Sequence, residues 1–289
     1  MKTKFAYKTF LILLNFLLLN IVHSYAQSNE AKFQVATYNI RYDAVSDLET
    51  GNSWNQRKES LFDLIKRHDF DIFGTQEGMF KQMIDVKNYL STYDYVSYPY
   101  GGKNDHHQNA IVYKRNLFEP LDAGVFWLSE TPDIPSIGWD ATDRRICNWV
   151  KFKHKLTGKV FFFFNAHFYW RNHEAKKQSG ALIAKMIKNI AGNEPVICVG
   201  DFNSTSETDQ ISDLKKILND SFEVSLNGVK GTLNTNLGGG NFKDSPIDRI
   251  DYIMVSKNIK VTNYQVISDQ YADNRYPSDH LPVSCFITF

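Results

Sequence analysis

The 289-residue sequence has little cysteine, which limits how the fold can be stabilised. Its three cysteines, Cys147, Cys198 and Cys285, are an odd number and all lie in apolar, strand-like contexts. We interpret them as small buried apolar side chains, and a disulfide between any two would have to be shown by geometry. A hydrophobic content of 43% is enough for a substantial core in one large domain or two small ones.

The chain also lacks an excess of charge of one sign. The formal net charge is +1, and removal of an N-terminal segment carrying Lys2, Lys4 and Lys8 leaves 30 of the 33 basic side chains against 32 acidic ones. Tight, sequence-independent binding to long nucleic acids normally needs a concentrated basic surface. This balance argues against such binding, although it leaves room for a local basic pocket.

Two further patterns are missing from the sequence. It has no G-x-S-x-G elbow, and Ser278 stands directly before Asp279 and His280, too close in sequence for the usual serine-hydrolase geometry. It also has no linker-like or low-complexity break after the N-terminal segment, and no visible internal repeat. We therefore expect one domain over residues 27–289.

The N-terminal segment has the pattern of a secretory signal peptide. Basic residues are followed by a largely apolar run over 10–22, and Ser24-Tyr25-Ala26 forms a small-x-small cleavage site. We predict a signal peptide over residues 1–26 and a secreted or periplasmic protein with no stable membrane insertion after cleavage. The alternative is an uncleaved anchor, but the run is shorter than the roughly 20 residues that a spanning helix needs.

The rest of the chain alternates strand and helix patterns. Apolar residues at helical spacing predict helices, and alternating or short apolar runs predict strands. The Pro-, Asp- and Gly-rich stretch 129–143 predicts a long surface loop, and loops of this kind are often functional. Strands are predicted at 33–41, 71–75, 93–98, 109–113, 118–128, 144–154 and 159–167, and helices at 54–67, 79–90, 174–191 and 209–218.

Several of the strand patterns end in polar residues. The clearest is VICVGDFN at 196–203, an apolar run that breaks into Gly, Asp and Asn. If these strand ends meet, one cleft holds carboxylates, carboxamides and two imidazoles, which is typical of a metal-assisted phosphate-cleaving site. The polar residues in question are Asn39, Glu77, Asn165, His167, Asp201, Asn203, Asp251, Asp279 and His280.

The chemistry of phosphate esters explains why these residue types belong together. The ester is negatively charged and repels hydroxide, so cleavage needs a cation on the phosphoryl oxygens, a group that activates water, and help for the leaving oxygen. Oxygen ligands such as those of Glu77, Asp279 and Asn39 suit Mg²⁺, with Mn²⁺ as the alternative, whereas zinc would require more His or Cys. The sequence therefore predicts magnesium.

Six strings in order, TYNIR, GTQE, NAHF, GDFN, IDYI and SDHLPV, run from residue 37 nearly to the C-terminus. Together they resemble the endonuclease/exonuclease/phosphatase superfamily. The resemblance implies a four-layer α/β/β/α sandwich, in which two packed mixed sheets are flanked by helices and the cleft lies at one edge. It also implies a metal-dependent hydrolase of phosphate esters, with a nucleic acid or nucleotide among the expected substrates; we expect a monomer.

The resemblance also implies roles for single residues. Glu77 would be the main metal ligand, with Asn39 and Asp279 completing the shell. Asp201 would position and deprotonate the attacking water, and its neighbour Asn203 would hold the phosphate or the water.

The two imidazoles would act as donors. His280 would donate to a phosphoryl oxygen, with Asp251 fixing its tautomer and raising its pKa. His167 would be the second donor, near the leaving oxygen. We also expect Asn165 to contact substrate.

The sequence departs from the superfamily pattern in two places. Tyr169 and Trp170 stand where several relatives of this length have an Asp-His pair, and Gln108 stands where an acidic residue often precedes the strand AIVY. These changes put a second metal position in doubt. They also make Trp170, Arg171 and Arg145 candidates for substrate recognition, because an aromatic face can stack on a base or sugar and an arginine can bind phosphate.

Three functions remain open from the sequence. The first is an exported Mg²⁺-dependent phosphodiesterase or nuclease. The second is a phosphomonoesterase that acts on a sugar, inositol or lipid phosphate at the same site. The third is a non-catalytic protein that binds a phosphate ligand.

Overall fold

The computed structural model describes residues 30–101 and 106–289. Within these residues, two mixed β-sheets pack face to face. The seven-stranded sheet has the order β10-β12-β13-β1-β2-β4-β3, and the six-stranded sheet has the order β5-β6-β7-β8-β11-β9. The strands are β1 (Lys32–Asn39), β2 (Ile72–Met79), β3 (Tyr93–Pro99), β4 (His107–Lys114), β5 (Phe118–Trp127), β6 (Ile146–His154), β7 (Val160–His167), β8 (Val196–Asp201), β9 (Leu218–Asp220), β10 (Val229–Lys230), β11 (Asp251–Ser256), β12 (Lys260–Val266) and β13 (Val283–Thr288).

Helices cover the outer faces of both sheets. Trp54, Leu61 and Met83 from two of them pack on the outer face of the seven-stranded sheet, and Ile183 and Leu214 from two others pack on the six-stranded sheet. This is the predicted four-layer α/β/β/α sandwich. The helices are α1 (Val45–Glu49), α2 (Trp54–His68), α3 (Phe80–Tyr89), α4 (His173–Ala191), α5 (Asp209–Lys215) and α6 (Ser221–Val224), with a 3₁₀ turn at Ala272–Asn274.

The strand β7 shows how the site is placed. Alternate side chains point to opposite faces of a strand. Phe161 and Phe163 belong to the core between the two sheets, whereas Phe162 and Phe164 pack beneath the outer helices. The inward face then continues through Asn165 and His167, so it changes from apolar to polar toward one edge.

Other inward faces follow the same gradient toward the same edge. On β8, Ile197 and Val199 lie in the inter-sheet core and Asp201 ends the strand. On β11, which runs antiparallel to β8, Asp251 begins the strand and pairs with Asp201 in register. Burying the apolar part of each face stabilises the sandwich by roughly 1.5–3 kcal/mol per large side chain. The polar ends are thereby gathered at one edge.

The structure agrees with the predicted elements, with two larger differences. The strand predicted at 71–75 continues to Met79, so Glu77 lies within β2 and not at its end. The 209–218 segment is helical only over Asp209–Lys215, and Leu218 instead begins β9, which pairs with β11. All three cysteines are free and fully buried, as predicted. The predicted signal peptide lies outside the described residues. In the part of the chain that the structure describes, no helix has the length and apolar content needed to cross a membrane.

Candidate active site

The polar edge of the sandwich forms an open cleft of about 810 Å³. Both sheets contribute side chains to it, as do the loops before β6, after β7 and around β11. Of the predicted catalytic and metal-binding residues, Glu77, His167, Asp201, Asn203, Asp279 and His280 lie on its surface.

Asp201 stands at the centre of these residues. Its Oδ2 accepts a hydrogen bond from Asn39 Nδ2 at 3.0 Å and lies 3.4 Å from His167 Nε2 and 3.7 Å from His280 Nε2. Its Oδ1 accepts from the backbone nitrogen of Asn203 at 2.9 Å. Burial, assisted by the neighbouring charge of Asp251, raises the pKa of Asp201 to about 7, although His280 acts in the opposite direction.

Gly200 allows β8 to deliver Asp201 to this position. Its φ is +151°, a conformation that side-chain-bearing residues rarely adopt. A Cβ atom there would lie 2.0 Å from the carbonyl oxygen of Ala166 on β7. The close approach of the two strands therefore requires glycine immediately before the carboxylate.

His280 and Asp251 form the predicted pair. His280 Nδ1 lies 2.9 Å from Asp251 Oδ2, which also accepts a hydrogen bond from Thr235 Oγ1 at 2.6 Å. Burial lowers the pKa of His280, but the charges of Asp251 and Asp201 outweigh it and raise this pKa well above the ordinary value. The two carboxylates therefore favour the protonated form of His280, with Nε2 on the side of Asp201.

His167 differs from His280 in its surroundings. Its Nδ1 lies 2.8 Å from the hydroxyl of Tyr100, and its Nε2 faces Asp201. Burial and the nearby charge of Arg145 lower the pKa of His167 well below its ordinary value. The pKa values of the two imidazoles of the cleft are thus shifted in opposite directions.

Glu77 comes from the other sheet, at a bulge where β2 changes its register with β4. Its φ of 65° is left-handed, and its Oε1 accepts a hydrogen bond from Asn39 Nδ2 at 3.1 Å. Burial acts to raise the pKa of Glu77, but the neighbouring imidazoles of His167 and His280, the hydrogen bond from Asn39 and the charge of Arg41 lower it to about 2. Glu77 is therefore an ionised carboxylate that faces the cleft.

Asn39 and Asp279 lie next to this carboxylate but are engaged by the protein. The amide nitrogen of Asn39 faces Glu77 and Asp201, and its oxygen accepts a hydrogen bond from the backbone nitrogen of Arg41 at 3.0 Å. Asp279 Oδ2 accepts from Gly240 N at 2.8 Å and lies 3.5 Å from Arg41 Nη1. Their roles as metal ligands stay predictions.

The donor atoms suit a divalent cation. Oxygen and nitrogen atoms lie within 4.8 Å of one another in two groups of three, one of Glu77, His167 and Asp201 and one of Asp201, Asp251 and His280. In the second group the 2.9 Å contact between His280 and Asp251 already satisfies two of the three. Glu77, the main predicted ligand, belongs to the first group. The carboxylate oxygens of Glu77 and Asp201 in this group are hard donors of the kind that bind a divalent metal ion.

The predicted substrate-binding residues lie in two places. Arg145 and Trp170 line the cleft, and Trp170 is 50% exposed. The Arg145 guanidinium lies over the ring of Tyr100 at 5.6 Å and that of Tyr169 at 5.7 Å. Arg171 is exposed and stacks on Trp170 at 4.1 Å, which places it behind the indole rather than on the cleft surface.

Asn165 does not reach the cleft, and its predicted role has to be corrected. Its Oδ1 accepts a hydrogen bond from Gln76 Nε2 at 2.7 Å, and its Nδ2 donates to the carbonyls of Thr75 and Ala110 at 2.9 and 3.0 Å. Its side chain points inward one pleat before His167, about 6.6 Å deeper along the strand. It joins the two sheets instead of contacting substrate.

Sequence reasoning missed several residues of the cleft. Arg144, Asp143 and Thr142 come from the end of the 129–143 loop and its junction with β6, and Asp248 comes from the loop before β11. None of them ends a strand pattern. The Pro-, Asp- and Gly-rich composition of the 129–143 loop indicated a functional segment, but it did not indicate which residue reaches the cleft. Tyr100, which lines the cleft just after β3, was also missed, as was Asn109, a buried β4 residue beneath it that reads as an ordinary strand residue.

The sandwich and its cleft define a class of proteins, the metal-dependent hydrolases of phosphate esters. A model of the Endonuclease/Exonuclease/phosphatase family matches residues 36–280. The chain belongs to this family, and it is a metal-dependent hydrolase that acts on ester bonds.

Similar proteins cover nearly the whole chain. A mannosyl-6-phosphatase of Bacteroides thetaiotaomicron VPI-5482 is 38% identical, with a TM-score of 0.84 over 89% of this chain and 100% of that one. A functionally unknown protein of Enterococcus faecalis V583 is 30% identical, with a TM-score of 0.81 over 88% and 98% of the two chains. An uncharacterized protein of Acanthamoeba polyphaga mimivirus is 28% identical, covering 80% of this chain and 90% of its own length.

Proposed function

We propose that the protein is an exported, Mg²⁺-dependent phosphatase that removes phosphate from a sugar phosphate. The observation that carries this proposal is the composition of the cleft wall, where the carboxylates of Asp143 and Asp248 stand with the exposed indole of Trp170. Sugar hydroxyls can donate to carboxylates, and a sugar ring can pack on an indole face. The further phosphates of a nucleic acid would be repelled by the same carboxylates. The similarity to a mannosyl-6-phosphatase supports this choice.

The cleft floor holds the groups that hydrolysis needs. Asp201, fixed by Asn39 and by the backbone of Asn203, can orient a water molecule and accept its proton. The imidazolium of His280, held by Asp251, can donate through Nε2 to a phosphoryl oxygen. Water attacks phosphorus directly, so no covalent enzyme intermediate is required.

Glu77 would hold the metal ion, together with neighbouring oxygen atoms of the cleft. A bound Mg²⁺ would supply positive charge to the phosphoryl oxygens. The hard oxygen donors favour Mg²⁺ or Mn²⁺, and the small number of imidazoles disfavours zinc. The Arg145 side chain, which has no ion pair within residues 30–101 and 106–289, would bind the same phosphate from the cleft wall.

A substrate panel tests the proposal. The purified protein would be assayed with a hexose 6-phosphate, p-nitrophenyl phosphate, bis-p-nitrophenyl phosphate and single-stranded DNA, each with EDTA, Mg²⁺ or Mn²⁺. We expect Mg²⁺-dependent release of inorganic phosphate, fastest from the sugar phosphate. Faster cleavage of the diester or the DNA would instead establish the phosphodiesterase predicted from the sequence. Binding of the sugar phosphate without turnover in any metal would establish a binding protein.

A charge variant at the cleft wall tests the sugar contact separately. Asp248→Asn should raise KM for the sugar phosphate by about 10- to 100-fold, because a neutral amide loses a charge-assisted hydrogen bond worth roughly 1.5–3 kcal/mol. It should leave hydrolysis of p-nitrophenyl phosphate nearly unchanged. Equal effects on both substrates would remove Asp248 from sugar recognition.

Export is proposed on the N-terminal pattern of Lys2, Lys4, Lys8 and the apolar run that follows. Expression of the full chain in a Gram-negative host should yield a periplasmic protein whose N-terminus begins near residue 27. Recovery of a cytoplasmic protein with an intact N-terminal segment would contradict the proposal.

A further inference from the structure

The hydroxyl of Tyr100 lies at Nδ1 of the active-site histidine, whereas Asp201 faces the other ring nitrogen, Nε2. Its oxygen is 2.7 Å from Asn109 Oδ1, 2.8 Å from His167 Nδ1 and 3.4 Å from the backbone nitrogen of Glu77. Tyr100 and His167 are each 3% exposed, and Asn109 is fully buried. A hydroxyl has a single proton, so Tyr100 can be the donor in only one of these contacts.

The orientation of the Asn109 amide decides where that proton goes. Asn109 Nδ2 lies 3.4 Å from the carbonyl oxygens of both Ile146 and Asn165, which accept and never donate. The nitrogen of the amide must face these carbonyls, so its oxygen faces Tyr100. The hydroxyl therefore donates to Asn109 Oδ1, because otherwise two oxygens would lie 2.7 Å apart with no proton between them.

The hydrogen bonds of the Tyr100 hydroxyl also determine which ring nitrogen of His167 is protonated. With its only proton directed at Asn109, the Tyr100 oxygen acts as an acceptor toward His167 Nδ1, as it does toward the Glu77 backbone N–H. His167 Nδ1 must then carry a proton. A neutral imidazole has one N–H, so Nε2 has the lone pair.

We propose that Tyr100 and Asn109 are positioning residues that hold neutral His167 in the Nδ1–H tautomer, with the Nε2 lone pair facing Asp201 in the cleft. Asn109 orients the Tyr100 hydroxyl, and the Tyr100 oxygen orients the imidazole. Trp127 Nε1 donates to the Tyr100 carbonyl at 2.5 Å and fixes the backbone that carries the phenol. In this role the pair acts through His167, because the Tyr100 hydroxyl is engaged with the Asn109 amide and the imidazole.

This tautomer gives His167 a defined part in the proposed phosphatase reaction, on which this step rests. Neutral His167 has no proton to give at Nε2 and must first accept one. As water attacks phosphorus, one O–H bond of the water breaks and its proton passes to Asp201 Oδ2. The negative charge that builds on the leaving oxygen then draws this proton across the 3.4 Å contact to His167 Nε2. The imidazolium then gives that proton to the leaving oxygen, which keeps the electron pair of the broken P–O bond. The hydroxyl stays on phosphorus, and Asp201 and His167 return to their starting states.

Nitrogen NMR on the full, metal-free chain tests the tautomer without any turnover. Protein labelled with ¹⁵N-histidine would be recorded at a pH where His167 is neutral, with its signals assigned by their loss in His167→Gln. We expect a protonated Nδ1 and an unprotonated Nε2. Tyr100→Phe should give a mixture of tautomers, and Asn109→Ala should reverse the tautomer, because the freed hydroxyl can then donate to Nδ1.

Tyr98→Phe is the matched control, since it removes a phenol oxygen two residues away that has no contact with His167. It should leave the tautomer unchanged. An Nε2–H tautomer in the unaltered protein would overturn the proposal, as would identical signals in Tyr100→Phe and the parent chain. If Tyr100→Phe does not fold, Asn109→Ala decides the question alone, and an unchanged tautomer in it would overturn the proposal.

Leaving-group dependence tests the functional consequence. Tyr100→Phe should slow hydrolysis of alkyl phosphates about tenfold more than that of p-nitrophenyl phosphate, because only the poor leaving group needs the proton. An equal loss for both esters would overturn the relay through His167. If the unaltered protein hydrolyses no phosphate ester, the proposed function has failed, while the NMR experiment still decides the tautomer.

Discussion

The β6–β7 hairpin carries two histidines that can be compared: His154 has a structural role, and His167 lies in the active site. His154 ends β6 and His167 ends β7, and because the strands are antiparallel the two side chains lie at opposite edges of the sandwich. Both are buried, and burial is the largest cause of a lowered pKa in each. Burial alone therefore does not distinguish them.

Their neighbours make the difference. His154 packs against Phe33 and Phe118, and its Nδ1 lies 2.9 Å from Thr157 Oγ1. His167 has a phenol oxygen on one ring nitrogen and a carboxylate facing the other. A site arises here where both ring nitrogens have polar partners and one of these is a cleft carboxylate, whereas apolar rings around the same side chain make it part of a core.

The largest expected effect is the loss of activity on substitution of Asp201 in the cleft. Asp201→Asn should reduce kcat on a phosphate ester by about 10³-fold or more, because an amide cannot accept the proton of the attacking water. The exposed Asp122 on β5 provides the control, and Asp122→Asn should keep full activity. Steady-state kinetics with circular dichroism of each variant would measure this, and an active, folded Asp201→Asn protein would refute the assigned role.

The paired substitution of the two histidines tests the comparison directly. His167→Gln should lower kcat about 10²-fold with little change in stability. His154→Gln should retain activity but lower the free energy of unfolding by about 1–3 kcal/mol, through lost packing with the phenylalanine rings. Urea unfolding and steady-state kinetics on both proteins would show this crossed pattern. Loss of activity in both variants would contradict the assignment of a structural role to His154 and a catalytic role to His167.

A smaller difference is expected between Arg145 and Lys153, the basic residues at the two ends of β6. Arg145 lies on the cleft, and Lys153 lies at the far end, 3.6 Å from Glu119 in an exposed ion pair. Arg145→Ala should raise KM for a phosphate ester about tenfold, because it removes a charged phosphate contact. Lys153→Ala should change neither KM nor stability appreciably. An unchanged KM in the first variant would exclude Arg145 from phosphate binding.

The smallest expected effect is the pH dependence of stability that His154 confers. Its pKa is lowered in the folded state by burial, with the charge of Asp71 acting in the opposite direction. Between that lowered pKa and the ordinary value near 6.5, the unfolded chain binds more protons, so stability falls as the pH decreases through this range. Thermal unfolding of the parent and His154→Phe proteins from pH 8 to pH 5 should show a steeper acid decline in the parent. Parallel curves would contradict it.

The sequence predicted the fold and most of the cleft because strand ends are local features. An apolar run that stops at Asp201 or His167 reports both a strand and the edge at which it ends. Asn165 was assigned wrongly because the NAHF motif has two polar residues on the inward face of β7, Asn165 and His167. The sequence does not show that His167 lines the cleft while Asn165 lies deeper between the sheets. Asp143, Asp248, Tyr100 and Asn109 reach the site through loop paths and the register between strands, which no short pattern encodes.

The contact between Asn165 and Gln76 has a consequence for how the enzyme would fail under stress. One sheet supplies Glu77 and the other supplies His167 and Asp201, and this buried amide pair crosses between the sheets one pleat below them. Heat or pressure that lets the layers slide would misalign the two halves of the catalytic machinery while each sheet keeps its own hydrogen bonds. Inactivation should thus precede the loss of secondary structure.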